Sequence, residues 1–370
     1  MLGEPENQFS LTRAALSTLG AQMQLPISSI FAVFAATGLG VVAAAGETPE
    51  SRLGTSLAPV AIGGQQAFVE SQWLAGRVLD NIANKGRQGN GFNPLCYEGY
   101  PGKSIYSTKD TGLNFEHIFN GVAADKAISM FTPRKDPVEL TQRSKESVSL
   151  HWPGERSAWG MDCRMTYTLA DRDAIDIAFT VTPTRERFGQ GYATLMWASY
   201  LACARDRRIY FYGMDKDRAG WTTFGEDIEG GFETGTVSCE GVKPLPYETN
   251  SQSLNIIEHP TKNFLKPFYY GLIDGDQDLG TSHDTLAYVM MFDHDTPIRF
   301  AMWNFVKDTA GKADPHRPAW DWQFVIHRPV VGQHYSYRAR LVICPFTNRE
   351  EILHIYEKWV QTRPAPASQP

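Results

Sequence analysis

The chain has 370 residues, 41 acidic and 35 basic, with a formal net charge of −6 at pH 7. No block of basic residues occurs, so the electrostatic footprint of a nucleic-acid binder is missing and nucleic acid is not expected as a partner. Cys96, Cys163, Cys203, Cys239 and Cys344 are far apart and lack C-x-x-C spacing. That excludes a zinc knuckle and a dense disulfide framework, and no metal site is expected.

Residues 1–45 read as a targeting segment. Residues 25–45 carry no charge, and the apolar run ends on Ala43-Ala44-Ala45-Gly46 in the manner of a cleavage site. Arg13 is the only basic residue before that run. Export to the periplasm or the outside, with removal of this segment, is the expectation. A retained membrane anchor and a buried helix are the other two readings, because the run is near the minimum for a span. Membrane contact is expected only if the segment stays uncleaved. Removing it deletes Glu4, Glu6 and Arg13, leaving 34 basic and 39 acidic residues and a net of −5.

Beyond it, residues 46–66 read as a linker, 67–361 as one β domain and 362–370 as a disordered, Pro-rich tail. With 22 prolines, 32 glycines and many short runs bounded by turn residues, the domain is mainly β. Residues 68–85 predict two short strands around Ala75-Gly76. Residues 86–121 have little periodicity and predict a long surface loop, the kind of segment that often carries function. Strands are expected near 126–131, 138–142, 146–152, 161–169, 174–182, 192–201 and 208–212. The clearest signal is Met161, Cys163, Met165, Tyr167 and Leu169, resuming after Asp171-Arg172-Asp173 at Ile175, Ile177, Phe179 and Val181. A period of two over that length is a half-buried β-hairpin.

Residues 213–235 read as loop. Further strands are expected near 236–240, 253–258, 285–292, 297–304, 322–328 and 335–344, with 293–296 as a hairpin turn between the third and fourth of these. Thr347 and Glu350 have capping-box spacing. Ile352, Leu353, Ile355, Tyr356, Trp359 and Val360 then trace the apolar stripe of a C-terminal helix.

Three segments resemble the galactose mutarotase-like superfamily. These are Phe68-Val69-Glu70-Ser71-Gln72-Trp73-Leu74-Ala75-Gly76-Arg77-Val78, then Met165-Thr166-Tyr167-Thr168-Leu169 with Ile175-Asp176-Ile177, and Tyr337-Arg338-Ala339-Arg340-Leu341-Val342 leading to Pro345-Phe346 and a helix. The resemblance spans most of residues 68–360. It implies a two-layer antiparallel β-supersandwich closed by a C-terminal helix, and a carbohydrate as ligand or substrate. Sugar mutarotases place a catalytic His in an Asn-His-Ser-Tyr-Phe-like segment after the central hairpin. Here that place reads Leu195-Met196-Trp197-Ala198-Ser199-Tyr200, so an ordinary aldose 1-epimerase is not expected.

The densest polar cluster is Asn114-Phe115-Glu116-His117-Ile118-Phe119-Asn120. An extended chain points Phe115 and His117 one way and Asn114, Glu116 and Ile118 the other. Glu116 beside His117 offers an acid–base pair, and reads equally as a turn capping its own backbone. Tyr97, Tyr100, Tyr106, Lys109 and Asp110 would form a wall suited to a sugar ring.

A second concentration holds Trp303-Asn304, Trp320-Asp321-Trp322 and His327-Arg328. Alternation sets Trp322, Phe324 and Ile326 against Asp321, Gln323, Val325 and His327. Arg328 suits a carboxylated sugar. His327 with Tyr335 or Tyr337 suits proton abstraction beside a uronate carboxyl, and hence β-elimination. A solvated polar sheet face over a tryptophan-rich core explains the same pattern.

His283-Asp284 and Asp293-His294-Asp295 lack metal-ligand spacing and read as turns. No G-x-S-x-G, P-loop or dinucleotide fingerprint occurs, so neither a nucleotide partner nor any cofactor is expected. The sequence therefore points to an exported glycan-active enzyme, lyase before glycosidase. Glu116, His117, His327 and Tyr335 are its candidate catalytic groups, and Asn114, Tyr106, Trp303, Asn304, Trp322, Arg328 and Tyr337 its candidate binding groups. A non-catalytic carbohydrate-binding or envelope structural protein is the alternative.

Overall fold

The computed structural model describes residues 53, 61–83, 89–98, 103–122, 128–129, 131–171, 173–248, 256–274 and 285–362. Every described residue lies in the unit Glu47–Pro370. The targeting segment, the tail beyond Thr362, most of the linker, Tyr100 and His283-Asp284 fall outside the described residues, and Thr362 itself, expected in the tail, ends the C-terminal helix.

The strands in chain order are β1 (Gln66–Glu70), β2 (Leu74–Leu79), β3 (Gly91–Tyr97), β4 (Asn114–Phe119), β5 (Glu139–Gln142), β6 (Ser147–Trp152), β7 (Met161–Ala170), β8 (Ala174–Pro183), β9 (Tyr192–Ala198) and β10 (Ile209–Asp215). They continue with β11 (Arg218–Phe224), β12 (Asp227–Ile228), β13 (Gly231–Phe232), β14 (Gly235–Ser238), β15 (Lys262–Phe264), β16 (Phe268–Asp274), β17 (Thr285–Phe292), β18 (Ile298–Trp303), β19 (Ala319–His327) and β20 (Tyr335–Pro345). The helix α1 (Arg349–Thr362) follows.

A ten-stranded sheet runs β11-β10-β16-β17-β20-β8-β7-β6-β5, with β15 also paired to β10, and a five-stranded sheet runs β14-β18-β19-β9-β4. Their inner faces meet in one apolar core. Trp197 stacks on Trp322 at 5.5 Å, and Phe179 of the larger sheet meets Trp197 edge-on at 4.7 Å. Trp322 Nε1 donates to the Tyr337 hydroxyl at 2.9 Å. The fold is thus a mainly β, two-layer antiparallel sandwich. On the far side of the larger sheet, α1 lays Ile352, Tyr356 and Trp359 over Phe268, Tyr270, Val289 and Met291. A three-stranded sheet, β1-β2-β3, adds Val69, Val78 and Phe92 to the main core.

The hairpin β7–β8 forms in the register the alternation predicts, from Met161 opposite Pro183 to Ala170 opposite Ala174. Elsewhere the structure departs from expectation. The first turn lies at Ser71, whose amide bonds the Leu74 carbonyl at 2.8 Å, while Ala75 and Gly76 sit inside β2. Gly76 is small because a Cβ there would come within 2.7 Å of the Phe92 ring. Residues 86–121 contain β3 and β4, and 268–274 form β16. These strands are covered on both faces, so they show no alternation to read.

Residues 218–224 form the edge strand β11, masked in sequence by its exposed start. Described residues 128, 129 and 131 form no strand. Strands β17 and β18 are not a hairpin, because they belong to different sheets. Asp293 keeps β17 bound to β20, its amide donating to the Arg338 carbonyl at 3.0 Å, and the chain then crosses between layers. The helix is capped by Asn348, whose Oδ1 accepts the Glu351 amide at 2.8 Å, and not by Thr347.

Candidate functional site

The outer face of the five-stranded sheet is polar and buried. Register sets His117, Met196, Gln323, Arg299 and Ser238 in one row across β4, β9, β19, β18 and β14. Phe119, Thr194 and Val325 form the neighbouring row. Gln323, Thr194 and Arg299 are at most 1% exposed, so the solvated face that alternation allowed is in fact enclosed. Part of the cover is the segment before and after the residues 249–255. Leu245 and Ile256 pack on Phe119, Tyr192, Met196 and Val325. The Tyr192 hydroxyl donates to the Pro246 carbonyl at 2.7 Å, and Arg299 pairs with Glu258 and donates to the Lys243 carbonyl.

A bulge in β4 builds the acidic end of this face. Phe115 faces Trp197 and His117 faces Met196, so Glu116 is the extra residue between two pairs. Strict alternation is broken as a result. Phe115 and Ile118 enter the core, whereas Glu116 and His117 both leave it, with His117 Nε2 3.9 Å from Glu116 Oε2. This corrects the extended-chain expectation that the two point opposite ways.

Glu116 is 1% exposed and forms an ion pair with Arg134. The Tyr200 hydroxyl lies 3.0 and 2.8 Å from its two carboxylate oxygens. Arg134 and His117 both pack on Phe131, at 4.6 and 5.0 Å from its ring. Asn90 holds the bulge in place, accepting from the Phe115 amide and donating to the Phe115 carbonyl, each at 2.9 Å. Asn90 also donates to Asn81 at 2.9 Å, and Asn81 donates to the Pro133 carbonyl at 3.0 Å next to Arg134. Asn114 belongs to this brace, since its Oδ1 accepts the Asn90 amide at 3.2 Å.

Trp303 joins the site from β18. It packs beside Ala198, Tyr200 and Ala319 and stacks on Phe305 at 5.4 Å with rings 3° from parallel. Asn304 follows, its amide donating to the Asp314 carbonyl at 2.7 Å. The structure therefore brings Glu116, with His117 beside it, and Trp303 to Tyr200, while Asn304 turns to the Asp314 carbonyl.

The remaining predicted residues lie elsewhere. Tyr106, Trp322 and Tyr337 are at most 1% exposed within the sandwich core and offer no surface to a ligand. Their hydroxyl and indole groups serve the interior, as in the Tyr106–Tyr288 contact at 3.2 Å. Tyr97 turns inward too, edge-on to Trp73 at 6.2 Å, so the expected aromatic wall does not form from these residues. His327, Arg328 and Tyr335 line a separate cleft of about 370 Å³ at one end of the sandwich. His327 ends β19 with its side chain exposed; partial desolvation in the cleft, and then the positive Arg299, lower its pKa. Among the described residues no group of three His, Cys, Asp or Glu side chains is placed to hold a metal ion.

Arg134, Tyr200, Thr194, Gln323 and Arg299 escaped sequence reasoning as site residues. The phase of Asp321, Gln323 and Val325 was visible, but nothing in it said that the polar side is enclosed.

Fold and site together define a two-layer β-sandwich with an enclosed polar face on its smaller sheet. No protein-family description matches the sequence, and no curated protein matches it. Its structural neighbours are galactose mutarotase-like and aldose 1-epimerase proteins. A putative aldose 1-epimerase from Escherichia coli K12 is 14% identical, over 76% of this chain and 99% of that one, with a TM-score of 0.42. The GalM/aldose epimerase homologue from C. elegans is 13% identical over 76% and 100%, with a TM-score of 0.36. A 4-alpha-glucanotransferase from Thermococcus litoralis is 8% identical over 77% and 40%, with a TM-score of 0.37.

Proposed function

We propose that the enclosed face of the five-stranded sheet binds a carbohydrate, with His117 as the proton-exchanging group. The observation that carries this reading is a set of buried polar atoms with no hydrogen bond among the described residues. They are Thr194 Oγ1, Ser238 Oγ, Arg299 Nε and Trp303 Nε1 on the face, Arg134 Nε beside Glu116, and Asn304 Oδ1 next to Trp303. Each such group costs about 1–3 kcal/mol if left dry. Donors and acceptors are mixed, which suits hydroxyl groups, and the Trp303–Phe305 pair supplies an apolar surface for a sugar's C–H face.

In this reading Glu116 orients His117 and Tyr200, and does not itself attack substrate, because both its oxygens are already held. His117 as base and Tyr200 as acid supply what β-elimination requires, so lyase chemistry on an exported chain lacking residues 1–45 is the preferred form. The saturated Glu116 cluster also favours a second reading, a non-catalytic carbohydrate receptor.

The test is turnover of residues 46–370 on a panel of acidic and neutral polysaccharides, following reducing ends and the ultraviolet absorbance of unsaturated uronates. New absorbance that falls about 10²–10⁴-fold in His117→Ala supports the lyase. Binding without turnover selects the receptor. Absence of both across the panel refutes the carbohydrate reading.

A further inference from the structure

The cleft lies beyond the far end of the row that holds His117, with Val325 of the same sheet face in its lining. His327 stands four residues along β19 from Gln323, and Gln323 is two strands from His117. With about 3.3 Å per residue and about 4.8 Å per strand, the two centres are roughly 16 Å apart. One substrate atom cannot touch both.

The cleft, about 370 Å³, has apolar walls from Pro297, Phe324, Ile326 and Tyr335. That volume is within the usual range for a small-molecule site. Arg328, His327 and Gln333 line it, the first two with exposed side chains, and among the described residues no hydrogen bond or ion pair holds any of the three side chains. By contrast Arg340, on β20, is clamped by Asp176 and Asp171.

Arg328 also holds a left-handed backbone, φ 48°, fixed by its amide donating to the Gly191 carbonyl at 2.8 Å. A non-glycine residue there is strained, and such strain clusters at ligand clamps. The loop after it is pinned by the Tyr335 hydroxyl, which accepts the Val330 amide at 3.0 Å.

We propose that this cleft is a second binding site, for the carboxylate end of a sugar acid. Arg328 takes the carboxylate through its planar fork, Tyr335 and Pro297 face the ring's C–H side, and His327 and Gln333 meet hydroxyls. The lowered pKa of His327 favours its neutral form, which presents one donor and one acceptor nitrogen. The proposal shares the ligand class of the preceding section but not its site or its chemistry.

Titration calorimetry with D-glucuronate, its methyl ester and glucose tests it on the full chain. Glucuronate should bind at least about tenfold more tightly than the ester or glucose, and Arg328→Gln should remove that preference. Arg328→Gly, which suits the positive φ, should do the same in a chain whose fold is not in question. His117→Ala, which alters only the other site, should leave the Arg328-dependent part of glucuronate binding in place within about twofold, since the two residues are far enough apart to act independently. Absence of glucuronate binding, binding unchanged in Arg328→Gly, or binding lost in His117→Ala overturns the proposal. Loss of polysaccharide turnover in His117→Ala with glucuronate binding retained separates the two sites experimentally.

Discussion

Glu116 is the point on which the site's architecture can be tested quantitatively. Its carboxylate is buried against Arg134 and Tyr200, with His117 3.9 Å away. Removing it by Glu116→Ala leaves the Arg134 guanidinium, itself 9% exposed, without its counter-charge. Breaking a buried pair in this way costs about 3–5 kcal/mol. Arg134→Met should cost a similar amount by stranding Glu116, which keeps only part of its support from Tyr200. Each single variant loses the same pair. The double variant should therefore cost far less than the sum, with a coupling energy of about 2–4 kcal/mol. Urea denaturation of the four proteins, compared at constant m-value, measures this directly. Additivity within about 0.5 kcal/mol would refute the pairing and return Glu116 to the substrate-facing role its sequence context suggested.

Trp322→Ala should destabilise by about 3–5 kcal/mol, because the indole lies in the interior, stacked on Trp197. In the same variant, glycan affinity of the molecules that remain folded should not change. Trp303→Ala should weaken glycan binding about tenfold by calorimetry with a smaller loss of stability than Trp322→Ala, since its ring is only partly buried. The third expectation concerns acid. Burial would raise the Glu233 carboxyl, but hydrogen bonds from His259 and Lys262 outweigh it and bring it from 4.5 down to about 2. A depressed carboxylate stabilises the fold above its unfolded pKa, and that stability drains away as pH falls from about 4.5 towards 2. Glu233→Gln should flatten this part of the stability–pH curve by on the order of 2 kcal/mol; an unchanged acid slope would contradict the assignment.

What the sequence disclosed follows from where side chains are half-buried. β7 and β8 show one face to the core and one to solvent, so Met161 to Val181 announced a hairpin. β3, β4 and β16 are covered on both sides, and their uninterrupted burial erased the period that would have revealed them. The same blindness affected the site. Asp321 and Gln323 were legible as one face of β19, yet enclosure of that face depends on Leu245 and Ile256, far away in sequence. Glu116 and His117 were found because two chemically distinctive groups are adjacent. Their shared orientation was not, since a bulge depends on the partner strand's register. Tyr106, Trp322 and Tyr337 were misplaced for the opposite reason. Aromatic residues with a polar handle suit a sugar cleft and a packed core equally well, and only the partner of each handle distinguishes them.

That distinction bears on why the smaller sheet carries the site. The outer face of the larger sheet is covered by α1 with apolar side chains, an arrangement that repays its own burial. The outer face of the smaller sheet is enclosed to a similar degree but is built from Thr194, Gln323, Arg299, Glu116 and His117. An apolar cover there would be more stable, since buried ion pairs are often no better than well-packed hydrophobic groups. The face takes that gain only in part, where Leu245 and Ile256 pack on Phe119, Met196 and Val325; elsewhere Thr194, Ser238, Arg299 and Trp303 keep polar atoms with no hydrogen bond among the described residues, a cost that the proposed ligand would relieve. The bulge, the Asn81–Asn90 brace and the Arg134 pair all stiffen the same end of that face. Rigid support concentrated around an imidazole is what the proposed proton exchange would draw on.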